Sequence, residues 1–422
     1  MKLAHLVRRG LHAALLIFSL MLAGCGPTTA PTLTPATPAA ATPTATSAPQ
    51  QPTPRAEPRL IRLWLPPRFD PANDTPASNL LRQRLAAFAE QNPGVRIEVR
   101  IKAEENFVRS LQTTRAAAPA AMPDLILLDR TDLERAAALG LLSTLDGLVD
   151  LSADPDWYPY ARSAARIQNS VFGLPLAADM LVLITRPGIV GAFESWDAFS
   201  VRGGVLSFPA GDPQALFVLG MYQSASDAAE LNNGYVFEQD ILAQAFSFFE
   251  TGRRAGVFSS ALTQYQTDEQ AYQSFREGRA NAVLTWSSRF MNTPGTGFSL
   301  QPLTGIENEP FTLANAWVWA LTTDDPEKRL AVLSLMQFLT DPAFMSDWCL
   351  AAGYLPPRPS ALEKWTDANM IVTVREMSNS AHILPAVEFR QKTGPVLAEA
   401  LASLLKGQTA EEVLVGLLDK LK

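Results

Sequence analysis

Downstream of residue 58 the sequence predicts an α/β fold, because strand and helix patterns alternate along the chain. Residues 60–65 form a short, mostly apolar run, and residues 95–101 alternate apolar and charged side chains as a half-buried strand does. Between these two strands, apolar side chains recur at helical spacing over 81–88. The apolar run 125–128 is typical of a central parallel strand. Strands and helices in this order predict a lobe with three layers.

The elements beyond this first lobe continue the alternation and then become mainly helical over the last hundred residues. Asp341 with Pro342 predicts a helix start, and Gly353 predicts the end of that helix. Thr409 and Glu412 have the spacing of a capping box. The other predicted elements are strands over 180–184, 282–286 and 316–321, and helices over 104–118, 131–139 and 237–251.

Residues 1–24 predict a lipoprotein signal peptide. Three basic residues precede the apolar run 11–22, which is too short to span a bilayer because a spanning helix needs about 20 apolar residues. The sequence LAGC at 22–25 resembles a bacterial lipobox, so the mature chain is expected to begin at a lipid-modified Cys25. Two or three acyl chains would anchor it firmly to the outer face of the cell membrane. The alternative is an ordinary secretory signal with a cysteine there by chance.

Residues 25–58 predict a disordered tether behind this cysteine. Positions 26–58 contain nine proline and nine threonine residues and only two charges. Such a segment cannot bury enough apolar surface to offset the entropy of ordering it. Proline favours an extended polyproline II chain, which at about 3.1 Å per residue would reach roughly 100 Å.

The charge and composition exclude several classes of protein. The net charge of the whole chain is −7, and an acidic chain is a poor binder of nucleic acid. Downstream of residue 58 the chain has one histidine, His382, and one cysteine, Cys349. A zinc site of the usual His/Cys kind therefore cannot be built, and a Ser-His-Asp triad would have to use His382. We expect no metal, no cofactor and no catalytic residue.

Eight short segments, in order, resemble the extracellular solute-binding proteins of ABC importers, the group that includes maltose-binding protein. The resemblance covers nearly all of residues 60–422. It begins with the first strand, which ends in Trp64. The other segments are FAEQNPGV at 88–95, PDLI at 123–126, LGLLSTLD at 139–146, FGLPLAAD at 172–179, SWDAF at 195–199, FREGRANAV at 275–283 and GYLP at 353–356.

This resemblance implies the type II periplasmic-binding-protein fold, with two α/β lobes that are joined by hinge strands and close on a ligand. The expected N-terminal lobe is 59–178 plus about 300–325, and the expected C-terminal lobe is about 179–299 plus 326–422. The implied partners are a small solute, most simply a sugar, and the transmembrane permease subunits of an ABC importer. We expect a monomer.

The ligand candidates combine aromatic faces for the C–H surfaces of a sugar with polar groups for its hydroxyls. Asp179 matches the acidic family position after the G-L-P segment, and Asp129 follows an apolar strand, where α/β sheets bind ligands. The other candidates are Trp64, Trp286, Trp317 and Tyr354 among the aromatic residues, and Arg289, Asn315 and Arg358 among the polar ones. For the tryptophans the competing interpretation is core packing; for Asp179 it is a turn or hinge cap.

The sequence departs from the family where many sugar binders have G-x-W after the A-M strand. Here Arg289 falls near the position of the stacking ring, and Trp286 comes three residues earlier. A small polar or anionic solute, such as a phosphorylated polyol, is therefore an alternative ligand, with Arg289 as its clamp. Two further interpretations stay open: a ligand-sensing lipoprotein and, less favoured because no motif supports it, a glycoside-active enzyme.

Overall fold

A computed structural model describes residues 58–421, except 189–194, 227, 229, 233 and 294–296. The predicted signal peptide, Cys25 and all but the last residue of the predicted tether lie outside the described residues. None of the helices that the structure describes combines the length and apolarity needed to cross a membrane. The strands are β1 (Arg59–Leu65), β2 (Val95–Ile101), β3 (Leu125–Asp129), β4 (Arg166–Ile167), β5 (Ser170–Val171), β6 (Gly173–Thr185), β7 (Leu206–Ser207), β8 (Ala282–Trp286), β9 (Ser299–Pro302), β10 (Thr312–Leu321) and β11 (Ala381–Ile383).

Helices follow most of these strands and confirm the predicted alternation. The helices are α1 (Pro76–Gln91), α2 (Phe107–Ala117), α3 (Arg130–Ala138), α4 (Pro159–Ala165), α5 (Trp196–Val201), α6 (Leu216–Ser224), α7 (Gln239–Arg254), α8 (Asp268–Arg276), α9 (Ser287–Met291), α10 (Pro326–Leu339), α11 (Pro342–Ala352), α12 (Pro359–Leu362), α13 (Ala368–Ser380), α14 (Val387–Leu405), α15 (Ala410–Leu414) and α16 (Leu417–Leu421).

Within the described residues the main sheet has nine strands, in the order β2-β1-β3-β10-β6-β8-β7, with β11 added beside β10 and β9 beside β6. Strands β1, β2 and β3 are parallel to one another, and β10 lies antiparallel between β3 and β6. The first part of β6, up to Met180, pairs with β10, and its second part, from Leu181, pairs with β8 and β9. Strand β6 therefore belongs to both halves of the sheet.

Each half of the sheet is covered by helices on both faces, as predicted for three-layer lobes. In β1, the consecutive residues Leu63 and Trp64 point to different cores: Leu63 packs with α1, α10 and α11, and Trp64 packs with α2 and α3. In β8, Leu284 packs with α6, α7 and α14, whereas Val283 faces the same core as α8. Alternation along a strand that is apolar on both sides produces this arrangement.

The predicted helix ends are confirmed at three places. The Asp341 side chain accepts hydrogen bonds from two backbone amides of α11, and Gly353 ends that helix with φ of 73°. Thr409 and Glu412 form the predicted capping box at α15. Local side-chain chemistry therefore sets these boundaries.

Candidate functional site

Strand register places three of the predicted polar residues side by side. Asp129, at the end of β3, is opposite Trp317 of β10, and Asn315, two residues earlier on β10, is opposite Asp179 of β6. Two residues along β6, Leu181 is opposite Trp286 at the end of β8. This line of side chains lies at the carboxyl ends of β3 and β8, and the carboxyl ends of strands are where α/β sheets bind ligands. We call Asp129, Asn315, Asp179 and Trp286 the polar row.

The two carboxylates of the polar row are each held by local hydrogen bonds. Asp129 caps α3 by accepting a bond of 2.8 Å from the Asp132 amide. Asp179 accepts three bonds at the start of α9, at 2.9 Å from the Ser287 hydroxyl, 2.9 Å from the Ser288 amide and 2.6 Å from the Ser288 hydroxyl. Burial raises the pKa of both carboxyls above the ordinary value, against the lowering effect of these hydrogen bonds.

Trp317 and Tyr354 both pack against Phe69 and Arg68, which follow β1. The Phe69 ring packs edge-on against Trp317, with 4.7 Å between centroids, and also contacts Tyr354. Arg68 lies over Trp317 at 5.3 Å and donates a hydrogen bond of 3.2 Å to the Tyr354 hydroxyl. The same guanidinium pairs with both oxygens of Glu104, at 2.7 and 2.8 Å. Trp317 and Tyr354, which the sequence predicts to contact the ligand, therefore lie close together, but both are largely buried.

Trp286, at the β8 end of the row, lines a cavity of about 270 Å³. Asp212 and Gln214, from the loop before α6, line the same cavity, as does Asp268 at the start of α8. Burial raises the pKa of Asp212. Our sequence interpretation missed Asp212 and Gln214; the available signal was an Asp-Pro turn in the loop between the short strand β7 and α6.

Three predicted residues lie in other surroundings. Trp64 is 1% exposed and packs edge-on against Phe107, so it is a core residue in this structure. Arg358 pairs with Asp156 at 3.1 Å and lies 3.9 Å above the Trp157 ring, apart from the polar row. Arg289 is close to the row but is held by Asp268 and Glu269, at 2.8 and 2.5 Å.

Among the described residues, no group of three His, Cys, Asp or Glu side chains is placed to hold a metal ion. Cys349 lies on the buried face of α11, and burial raises the pKa of its thiol. The polar row itself combines carboxylate and amide groups, which can form hydrogen bonds to a ligand, with the half-buried ring of Trp286.

We expect Asp132→Asn to stabilise the protein at neutral pH. Burial, together with the neighbouring Asp129 charge, raises the pKa of Asp132 to about 6. An unfolded aspartate has a pKa of about 3.9, so the contribution of Asp132 to stability is fully present below about pH 4 and is lost as pH rises through 6. Calorimetry should show a higher melting temperature for the variant near pH 7 and no gain near pH 4.

A matched control for this variant is Asp240→Asn, which changes an exposed first-turn aspartate of α7 and should give no such pH-dependent gain. A lower melting temperature of Asp132→Asn at both pH values would contradict the prediction.

The structure is similar to solved structures of sugar-binding proteins. A cyclic alpha-maltosyl-1,6-maltose binding protein from Arthrobacter globiformis matches with a TM-score of 0.71 and 15% identity, over 86% of this chain and 98% of that one. The sugar-binding protein MalE from Xanthomonas citri matches with a TM-score of 0.69 and 16% identity, over 86% and 96%. At these identities the likeness shows the fold, which confirms the two-lobed binding-protein architecture.

A substrate-binding protein from Listeria monocytogenes, solved in complex with cycloalternan, matches with a TM-score of 0.61 and 16% identity, over 86% of this chain and 98% of that one. No curated protein sequence matches the chain. The family described as "Bacterial extracellular solute-binding protein" matches residues 83–372, more than half of the chain. The chain therefore belongs to the bacterial extracellular solute-binding proteins.

Proposed function

We propose that this protein captures a carbohydrate between its two lobes and delivers it to the permease of an ABC importer. The polar row carries this proposal, because it lies at the carboxyl ends of β3 and β8, on β10, and on β6, the strand that belongs to both halves of the sheet. Carboxylate and amide oxygens accept hydrogen bonds from sugar hydroxyls, and Trp286 offers a ring to a sugar face. The similar proteins described above, whose names mention maltose derivatives, sugar or cycloalternan, support the same ligand class.

An anionic ligand is less well supported. Its proposed clamp, Arg289, already pairs with two carboxylates of α8, Asp268 and Glu269. The carboxylates Asp129 and Asp179 would repel a phosphate group at the same place. A neutral, hydroxylated solute avoids this repulsion.

We propose that the first lobe comprises 59–178 and about 315–380, and the second about 179–314 and 381–421. Helices α10 and α11, in the segment expected to join the second lobe, pack in the core with β1 and α1. Helix α14, in contrast, packs on α6 and α7. On this packing we propose that the chain returns to the second lobe near β11.

For the N-terminus we propose lipid attachment at Cys25 and a tether over 25–58. Together they keep the ligand-binding lobes at the outer face of the cell membrane. Support comes from the lipobox-like LAGC sequence and the proline-rich composition, and from the extracellular character of the family.

Ligand capture is tested by a thermal-shift screen of the full chain against sugars, polyols and phosphorylated polyols. A bound sugar should raise the melting temperature by mass action and change tryptophan fluorescence. Trp286→Ala should weaken the binding of that sugar about tenfold, or about 1.4 kcal/mol, because the ring at the cavity is lost.

Trp286→Phe is the matched control for this test, since it keeps an aromatic face and should retain most of the affinity. Stabilisation by phosphorylated polyols alone would contradict the carbohydrate assignment. Turnover of a glycoside by the purified protein would contradict simple capture.

A further inference from the structure

Helices α3 and α14 belong to different hydrophobic cores but contact each other. Helix α3 packs on β3 through Leu133 and Ala136, in a core with Leu128 and Val318. Helix α14 packs on α6 and α7, in the core that contains Phe246. We call the proposed first and second lobes the two halves of the molecule. Helix α3 belongs to the first and α14 to the second, so hydrogen bonds between these helices link the two halves independently of β6 and β10.

The Arg390 side chain of α14 makes the first of these links. It is 3% exposed, and its Nη2 donates a hydrogen bond of 2.8 Å to the Thr131 hydroxyl of α3. Its Nη1 donates to the Gln214 side-chain oxygen in the loop before α6, and its Nε donates to the Pro385 carbonyl at 2.7 Å. One guanidinium thus joins both halves.

The two segments that Arg390 joins are those that line the candidate site. Thr131 lies two residues after Asp129 of the polar row, and Gln214 lines the cavity with Trp286. Helix α14 also packs closely on this loop, because a Cβ at Gly394 would meet the Pro213 carbonyl oxygen at 2.3 Å. The separation of the two ligand-lining segments is therefore coupled to the position of Arg390.

Glu134 of α3 makes the second link. Its Oε2 accepts a hydrogen bond of 2.7 Å from the amide of Val387, the first residue of α14, so a carboxylate of one half stabilises a helix N-terminus of the other. The other oxygen of Glu134 pairs with Arg130 at 2.6 Å. Both links use charged groups, whose hydrogen bonds are stronger than neutral ones.

We propose that Arg390 is a positioning residue for ligand capture: acting through Thr131 and Gln214, and supported by Glu134, it holds the two ligand-lining segments together before ligand binds. Its acceptors are neutral oxygens contributed by both halves, so separating the halves removes the bond to Thr131. The effect on affinity rests on the proposed capture function, whereas the effect on the ligand-free shape does not.

The test measures the separation of the halves by energy transfer between two dyes. The full chain carries Cys25→Ser, Arg109→Cys and Lys406→Cys, which put labels on exposed positions of α2 and at the end of α14, while the buried Cys349 is not accessible to the dyes. Arg390→Met should lower transfer in the ligand-free protein. It should also weaken the binding of the sugar found in the screen about tenfold, or about 1.4 kcal/mol, because only the closed fraction binds.

Three further variants make the result specific. Thr131→Val removes only the bond to α3 and should lower transfer in the same direction, even if Arg390→Met fails to fold. Arg390→Lys can keep one bond and should be intermediate. Arg375→Met, which removes an exposed arginine of α13 whose ion pair with Glu363 is 3.9 Å long, should change nothing.

Unchanged transfer in folded Thr131→Val and Arg390→Met would overturn the proposal. Tighter sugar binding by Arg390→Met would also overturn it, because it would show that Arg390 obstructs the site. If no sugar binds the parent protein, the proposed function fails, but the transfer measurement still decides the role of Arg390.

Discussion

Trp319→Ala is expected to lower the free energy of unfolding by about 3–5 kcal/mol, because it removes a large side chain from a close-packed core. Trp319 is 0% exposed and lies on β10 between Leu127 of β3 and Leu174 of β6. The cavity would open where β10 joins β3 to β6. Urea unfolding followed by circular dichroism would measure the loss.

The comparison for this variant is Leu350→Ala on α11, a side chain that is 53% exposed. Its loss should stay near 0.5 kcal/mol, about the usual effect of a surface substitution. If the two variants lost similar stability, the core position of Trp319 would be wrong.

Arg130→Met is the second variant with a large expected effect, about 3–5 kcal/mol, because it leaves a buried carboxylate without its cation. Arg130 is 5% exposed and pairs with Glu134 at 2.6 Å. Its Nη1 also donates to the carbonyls of Ser163, Ala164 and Arg166, at the C-terminal end of α4. The variant therefore loses an ion pair and leaves three carbonyls without this donor. Thermal and urea unfolding would both record the change.

Two variants distinguish this buried pair from ordinary surface charge. Arg135→Met, on the same helix, removes a half-exposed arginine that pairs with Asp132 at 3.3 Å and should cost about 1 kcal/mol at most. Adding Glu134→Gln to Arg130→Met should recover part of the loss, because it neutralises the carboxylate left behind. A double variant less stable than Arg130→Met alone would argue against this explanation.

Much of the fold follows from local sequence pattern. The alternation over 95–101 predicts β2 with the observed bounds, and 282–286 does the same for β8. The predicted strand 180–184 is only the second part of β6, which begins at Gly173. A Cβ at Gly173 would lie 2.1 Å from the Trp319 carbonyl oxygen, so the glycine there allows a close approach of β10 that no local pattern reveals.

The candidate site is less accessible to sequence reasoning. Asp129, Asp179 and Asn315 could be named because each lies on or at the end of a recognisable strand, and the register then brings them together. The role of Arg390 could not be predicted from the sequence, because it depends on the contact between α14 of one half and α3 of the other. Trp64 illustrates the converse: a tryptophan near a strand end has the same local pattern whether it faces a ligand or, as here, packs on Phe107.

The position of β10 has a consequence for how the chain acquires its structure. The sheet of the first half has a gap between β3 and β6 until residues 312–321 are inserted, and these residues follow β3 by nearly two hundred positions. Native pairing of so distant a strand is slow to nucleate, because the entropy of closing a long loop is lost before the contact contributes any stabilisation. We therefore expect that an amino-terminal fragment ending before β10 does not fold stably, and that the chain stays unfolded until it is nearly complete.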